Sequence, residues 1–356
     1  MEAFQHTFHP GRVLFGPGSI KKLSQEIKLL SAERVLFCCT PGRRKELEAI
    51  IAPLENFKVG VCDIAEQYVP AHVAKKGQKI AKETNADCVV SYGGGTSVGL
   101  AKAIALKLEI PIISAVTTYS GSEMTDLQAI LTDGKRIGYQ SPSMLPKTVI
   151  YDAEKSMGVP LKILIPSGIN GIAHGVEAFY SQGTSPVNRI LAGEGIKSLS
   201  SALRLLSSGN DSIKARGDGF YGAWLCGVTL CSAGVALHHK AAHVLGNTFG
   251  LEHSLVHSMV LPHSVAYNRA GISSVMEGIS AALGDKEKDA AQALYEFISE
   301  IGIPTALKSL GMPKEGISIA AQMIAESPYP NPVPIEFKRI LRMVENAWEG
   351  HPPDNT

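Results

Sequence analysis

Asp87-Cys88-Val89-Val90-Ser91-Tyr92-Gly93-Gly94-Gly95-Thr96-Ser97 joins a short apolar, β-rich run to three glycines and two hydroxyl residues. A helical pattern follows from about Leu100 to Leu108. Strand, tight glycine turn and helix in that order are the building unit of a parallel sheet. The same reading extends outward: Arg34–Cys39, Ile110–Val116 and Thr148–Asp152 are further strands. Such alternation predicts a parallel sheet with helices on both faces. After about Ser156 the pattern changes. Apolar stretches with helical spacing run over Ile165–Tyr180, Ile190–Leu206, Gly217–Leu245, Ser254–Asn268, Lys288–Ile301 and Ile335–Trp348. The expected organisation is an α/β domain over 1–155 and an all-helical domain over 156–356. Pro328–Pro334 reads as a stiff loop.

Small residues after a strand let the backbone approach a pyrophosphate, and the following helix N-terminus offers free N–H groups and a positive dipole end. Gly93, Gly94, Gly95, Thr96 and Ser97 are therefore candidate cofactor residues. The run is not a G-x-G-x-x-G fingerprint and, alone, is equally readable as a tight βα turn. A second small-polar loop, Thr117–Glu123, also follows a strand and adds Thr117, Thr118 and Ser120. Two such loops at strand C-terminal ends suit a cofactor crevice. The loop Thr40–Arg44 carries no acidic residue to hold ribose hydroxyls; Arg43 or Arg44 suits a 2′-phosphate or a plain exposed helix start, which leaves NADH and NADPH both open.

The 356 residues hold 34 Lys and Arg against 33 Asp and Glu, a net charge of +1. That balance excludes a nucleic-acid partner or a polybasic membrane-surface protein. No apolar run approaches the length of a transmembrane helix and no secretory signal is evident, so a cytoplasmic location is expected. The six cysteines lie in apolar surroundings without a C-x-x-C pair and read as buried free thiols.

Histidine is unevenly spread: six of the 11 fall between His238 and His263. Asn170 and His174 are four apart on one helical stretch, and His239 and His243 repeat that spacing on another. Gly246 and Gly250 are read as breaking the second helix, with His253 opening the next. The spacing is one that builds metal sites between helices. A divalent site is usually completed by a carboxylate, and position 170 carries a neutral amide instead. Each histidine alone is equally readable as a packed or surface residue. His238 and His263 are read as structural, while His257 lies one turn beyond His253. Glu177 and Glu123 are acceptors for the imidazoles or, as readily, solvated or capping residues.

At these residues the chain resembles the iron-containing (group III) alcohol dehydrogenase superfamily and, within it, the maleylacetate reductases. The similarity runs nearly end to end: Pro10–Gly16, Gly93–Lys102, Thr117–Thr125, Leu145–Asp152, Ser167–Glu177, His239–His253, Tyr329–Pro332 and Asn346–Trp348. The resemblance implies an N-terminal dinucleotide-binding α/β domain, an all-α C-terminal domain, an active site in the cleft between them, NADH or NADPH as cofactor, and a homodimer. In the superfamily one Asp and three His bind the metal, and the matching positions are Asn170, His174, His239 and His253. His243 matches a further active-site histidine. The Asp-to-Asn change, and Gly99 where the metal-dependent enzymes carry Asp, both favour the reductase branch, for which no required metal is expected.

The expected reaction is therefore reduction of the conjugated double bond of maleylacetate to 3-oxoadipate, in aromatic-compound degradation. His243, His253, His239, His174 and Asn170 are the expected catalytic residues, with Tyr119, Arg136 and His257 at the small-molecule substrate. A dicarboxylate calls for cationic partners. Arg136 and Lys147 stand nearby, but Gln140 and Val333 are neutral. The alternatives are a less acidic enone or carbonyl substrate, and a non-redox lyase or cyclase on the same fold.

Overall fold

Between Arg12 and Tyr151 short apolar runs alternate with helical patterns, and the outcome is a sheet buried on both sides. The computed structural model describes Phe4, His6 and residues 11–326 and 329–354. The strands are β1 (Arg12–Phe15), β2 (Arg34–Cys38), β3 (Lys58–Cys62), β4 (Cys88–Gly93), β5 (Ile112–Val116), β6 (Leu127–Thr132), β7 (Lys135–Gln140) and β8 (Thr148–Tyr151). Six form one parallel sheet in the order β1-β8-β5-β4-β2-β3. Helices α1 (Leu23–Leu29) and α2 (Arg44–Ile51) send Ile27 and Leu47 against Val35, Phe37 and Val90 on one face. Helices α3 (Ala71–Glu83) and α4 (Gly95–Leu108) send Val73, Leu100 and Ile104 against Leu36, Cys38 and Val89 on the other. Alternate residues of one strand serve opposite faces, which is why these strands read as continuous apolar runs.

From β2 the chain steps outward to β3, then returns to β4 and moves to β5 on the other side. The C-terminal ends of β2, β4 and β5 thus lie side by side at a topological switch point, where open α/β sheets bind their ligands. The loops leaving those ends are the ones singled out in the sequence. Strands β6 and β7 form a separate antiparallel hairpin that the sequence reading did not foresee. Its turn is Asp133-Gly134, both at positive φ (49° and 73°), as a two-residue hairpin turn requires.

The chain divides into two compact units, His9–Pro160 and Leu161–Thr356, with Phe4 and His6 grouped with the second. The one-turn helix α5 (Ala153–Ser156) closes the first unit. The second is helical throughout: α6 (Leu161–Ala178), α7 (Pro186–Ser207), α8 (Ile213–Ala233), α9 (Leu237–Phe249), α10 (His253–Leu283), α11 (Ala290–Glu300), α12 (Gly316–Glu326) and α13 (Phe337–Glu349).

Three expectations need correction. The stretch Gly217–Leu245 is not one helix: Gly234 takes φ +74°, ends α8, and the chain turns by 102° into α9. Gly246 does not break α9, which runs on to Phe249 and is capped by Gly250 at φ +65°. Helix α10 continues well past Asn268, with a local irregularity at Ile272. Five cysteines are buried as expected, but Cys231 is only partly so. Pro10 and Pro328, which the sequence reading also used, lie outside the described residues. No single helix among the described residues is long and apolar enough to cross a membrane.

The second unit depends on close backbone approach of α7 and α8. A Cβ on Gly222 would stand 2.6 Å from Gly195 O and 2.6 Å from Leu199 N, both backbone atoms that cannot rotate away. Gly222→Ala is therefore expected to lower stability by about 1–3 kcal/mol, read as a reduced denaturation midpoint. An unchanged midpoint would show that these helices separate freely.

Candidate active site

In the first unit, the glycine turn is shaped by what packs against it. Gly93 has φ +137°, a conformation side chains rarely adopt. A Cβ on Gly94 would come within 2.7 Å of Thr118 Oγ1, and one on Gly95 within 3.2 Å of Ser120 Oγ. The two small-polar loops are thus in contact, and Thr117 N–H donates to Gly93 O at 3.0 Å. Gly94 caps α4 with no side-chain hydrogen bond, and its carbonyl takes the N–H groups of Ser97 and Val98. The N–H groups of Gly95 and Thr96 remain as the first-turn donors that a helix leaves for an anion. A pyrophosphate fits this cradle. Arg43 reaches Thr117 Oγ1 at 3.2 Å and pairs with Glu46; Arg44 pairs with Glu48 and Asp63.

Two buried residues that sequence reasoning missed, or left open, hold the second loop. Lys102 is fully buried, and its Nζ donates to Ser122 O (2.6 Å), Thr125 Oγ1 (2.8 Å) and Leu127 O (2.9 Å). Its signal was a lysine inside the otherwise apolar Leu100–Leu106 run. Glu123 accepts from Tyr151 Oη at 2.9 Å and from Ser120 Oγ at 3.3 Å. Burial raises its pKa, against the opposing pull of its own backbone N–H, Tyr151, Lys102 and Ser120. At Gly99 a Cβ would meet Val69 Cγ2 at 2.7 Å and the Gln128 amide at 3.1 Å, so a larger side chain has no room. Tyr119 has no exposed surface. Arg136, on β7, lies 5.4 Å over the Tyr68 ring with its Nε and Nη1 unpartnered. Burial lowers its pKa.

In the second unit, six imidazoles cluster through ring contacts, His238 meeting His239 (5.1 Å) and His257 (4.9 Å). His174 stacks on His239 (4.7 Å), His239 meets His243 (6.0 Å) and His257 (4.9 Å), and His253 meets His243 (5.8 Å) and His257 (4.5 Å). Helix α6 contributes Asn170, His174 and Glu177, whose spacing puts them on one face. Glu177 is fully buried; its Oε2 lies 2.6 Å from His239 Nδ1, and its Oε1 accepts the His238 backbone N–H at 2.8 Å. That contact fixes the proton of His239 on Nδ1 and leaves Nε2 facing the cluster without a partner. Asn170 Oδ1 and His174 Nδ1 are likewise buried and unpartnered. His238, read as structural, is in fact joined to the cluster: its Nε2 lies 2.9 Å from His257 Nδ1. His243 and His253 are the partly exposed members.

Burial lowers the pKa of His174, His238 and His257 well below the usual histidine value, and neighbouring imidazoles lower them further. These three are neutral near pH 7, so they donate hydrogen bonds rather than charge. His263 lies apart from the cluster; burial, with a smaller push from His351 and against the pull of Asp354, takes it down to about 4.

The resemblance would place a metal on Asn170, His174, His239 and His253, and the donor set does not fit that arrangement. Position 170 offers only an amide. Among the described residues, the side chains whose ligand atoms all lie within 4.8 Å of one another are His243, His253 and His257. That set shares one member, His253, with the four.

Two predictions follow from the buried groups. Between pH 6.5 and about 4 an unfolded His263 takes up a proton that the folded one refuses. Its contribution is thus present above pH 6.5 and declines on acidification, by up to about 3 kcal/mol. Urea denaturation across that window should show His263→Phe with a shallower loss than the parent; equal slopes would contradict the assignment. In Glu177→Gln, an amide that donates to His239 Nδ1 should move the ring proton to Nε2. Imidazole ¹⁵N shifts report this directly, and an unmoved proton would count against the pairing.

Residues 10–153 match the family described as iron-containing alcohol dehydrogenase, and residues 164–348 match the C-terminal part of the Fe-containing alcohol dehydrogenase family. A maleylacetate reductase of Burkholderia cepacia is 40% identical over 99% of this chain and 100% of its own length. One from Sphingobium indicum is 40% identical, over 97% of each chain. The crystal structure of maleylacetate reductase from Agrobacterium tumefaciens superimposes with a TM-score of 0.94 at 35% identity, covering 99% of this chain and 100% of that one. With both halves matched and relatives of this identity spanning its full length, the chain belongs to the iron-containing alcohol dehydrogenase family.

Proposed function

We propose that this chain is an NAD(P)H-dependent reductase that converts maleylacetate to 3-oxoadipate in the degradation of aromatic compounds. The observation that carries the reading is the imidazole cluster. It offers N–H donors around partly exposed His243 and His253, with the buried Glu177 carboxylate engaged by His239 Nδ1 and the His238 N–H. Such a surface suits an oxygen on which negative charge develops. Full-length relatives named maleylacetate reductase support the substrate.

The bound nicotinamide supplies a hydride to the alkene carbon β to the ketone. Electrons of the double bond move onto the ketone oxygen, and the enolate is held by hydrogen bonds from His243 and His253. Protonation at the α carbon, for which His243 is the proposed donor, restores the ketone. Asn170, His174 and His239 shape the pocket, and no metal is required in this scheme. Gly94, Gly95 and Thr96 take the pyrophosphate; Gly93, Ser97, Thr117, Thr118 and Ser120 hold the two loops around it. Arg136 supplies unpartnered guanidinium N–H groups for a substrate carboxylate. Arg43 and Arg44 are already ion-paired, which favours NADH over the 2′-phosphorylated cofactor. A homodimer and a cytoplasmic location belong to the same reading.

One observation favours a less acidic substrate as the second reading. The Gln140 amide is spent on Asp126 at 3.2 Å, so position 140 offers a substrate carboxylate no cation. A turnover screen of maleylacetate against neutral enones with both cofactors, after exhaustive chelation, separates the two. Maleylacetate with NADH is expected to give the highest kcat/KM, and activity that appears only on adding Zn²⁺ or Fe²⁺ would overturn the metal-free scheme. His243→Ala should lower kcat about 100-fold or more while the dinucleotide Kd stays within about threefold; an unchanged kcat removes His243 from the chemistry.

A further inference from the structure

The turn from α9 into α10 carries a second set of imidazoles. His243 is on α9, His253 is the first residue of α10, and His257 lies one turn later. One nitrogen of each lies within 4.8 Å of the other two. The His257 ring is inclined at 81° to His253 and at 80° to His243, and His243 and His253 are stacked at 17° to each other. His257 is fully buried, its Nδ1 is 2.9 Å from His238 Nε2, and its Nε2 has no hydrogen-bond partner. An orphaned, buried ring nitrogen facing two further imidazoles is an unusual expense in a protein interior.

We propose that His243, His253 and His257 form a binding site for a zinc-type divalent cation, sharing only His253 with the four positions that the family pattern would use. Three neutral imidazoles with a fourth position left to water are a sufficient ligand set for Zn²⁺. Tetrahedral ligands at about 2.05 Å stand about 3.3 Å apart, so the nitrogens have to draw together by up to about 1.5 Å. His243 and His253 are partly exposed, while His257 is fully buried. His238 sets the tautomer. When His257 Nδ1–H donates to His238 Nε2, the His257 Nε2 lone pair faces the ion; when the bond runs the other way, Nε2 carries a proton and is a donor. The same nitrogen cannot do both. On the reading given under Proposed function, His243 and His253 hold the enolate, so an ion that takes a ring nitrogen of each excludes that stabilisation and inhibits turnover.

The test is calorimetric titration of Zn²⁺ into the chelator-stripped protein, with Co²⁺ absorption as a second readout. One ion per chain is expected. His257→Gln and His243→Ala should each weaken binding about 100-fold, while His174→Ala leaves it within about twofold. His243→Ala alters a partly exposed side chain and carries the test if circular dichroism shows His257→Gln unfolded. No stoichiometric binding, or binding lost in His174→Ala and kept in His243→Ala, overturns the site. NADH oxidation with maleylacetate should fall as occupancy rises and recover on chelation; a rate that rises with occupancy overturns the competition. If the stripped protein reduces no maleylacetate at all, the functional reading fails while the titration still decides the site.

Discussion

A carboxylate with no exposed surface has to find its partners inside the protein, and Glu177 finds both in the first turn of α9. Helix α9 begins at Ala236, which has no side chain able to cap it. Its first N–H groups are met from elsewhere: that of Leu237 by Asn331 Oδ1 at 3.3 Å and that of His238 by Glu177 at 2.8 Å. A negative charge at a helix N-terminus is also favoured by the helix dipole. The second Glu177 oxygen orients His239. One buried charge therefore fixes the start of α9 relative to α6, the tautomer of His239 and the direction its free nitrogen faces. The other histidines are arranged around that frame, and replacing Glu177 with an apolar residue would release all three at once.

The first unit is governed by a different constraint, the absence of side chains. Gly94 and Gly95 let Thr118 and Ser120 come close enough that the loops after β4 and β5 form one surface. Lys102 then ties the far end of the second loop to α4 through three oxygens. A buried ammonium with three acceptors is well satisfied, whereas one left without them would be costly. On the proposed reading the two units contribute different chemistry: backbone N–H groups for a dinucleotide in one, imidazoles for a developing negative charge in the other.

Much of this was legible in the sequence because it depends on local pattern. The strands around Val35, Val89 and Ile113 are apolar on both faces and bounded by glycine or polar turns, so the parallel sheet could be read directly. Features that depend on tertiary geometry were not. The bend at Gly234 lies inside a run whose apolar spacing continues unbroken from Gly217 to Leu245. In the β6–β7 hairpin the second strand is short and mostly polar, and only Asp133-Gly134 marked the turn. His238 and His257 are 19 residues apart, and their contact depends on how α10 folds back along α9. Glu177 was equally readable as a solvated residue, because nothing in the order of residues says that its carboxylate is buried.

The account rests on charge developing at the ketone oxygen while hydride enters at the alkene. The direct measurement is isotopic: reduction of maleylacetate with NADH deuterated on the transferred position, and the complementary reaction with ordinary NADH in D₂O. The account predicts cofactor deuterium on the carbon β to the ketone and solvent deuterium on the α carbon, with the carbonyl intact. Cofactor deuterium on the former carbonyl carbon, in a hydroxy acid that keeps its double bond, would contradict it.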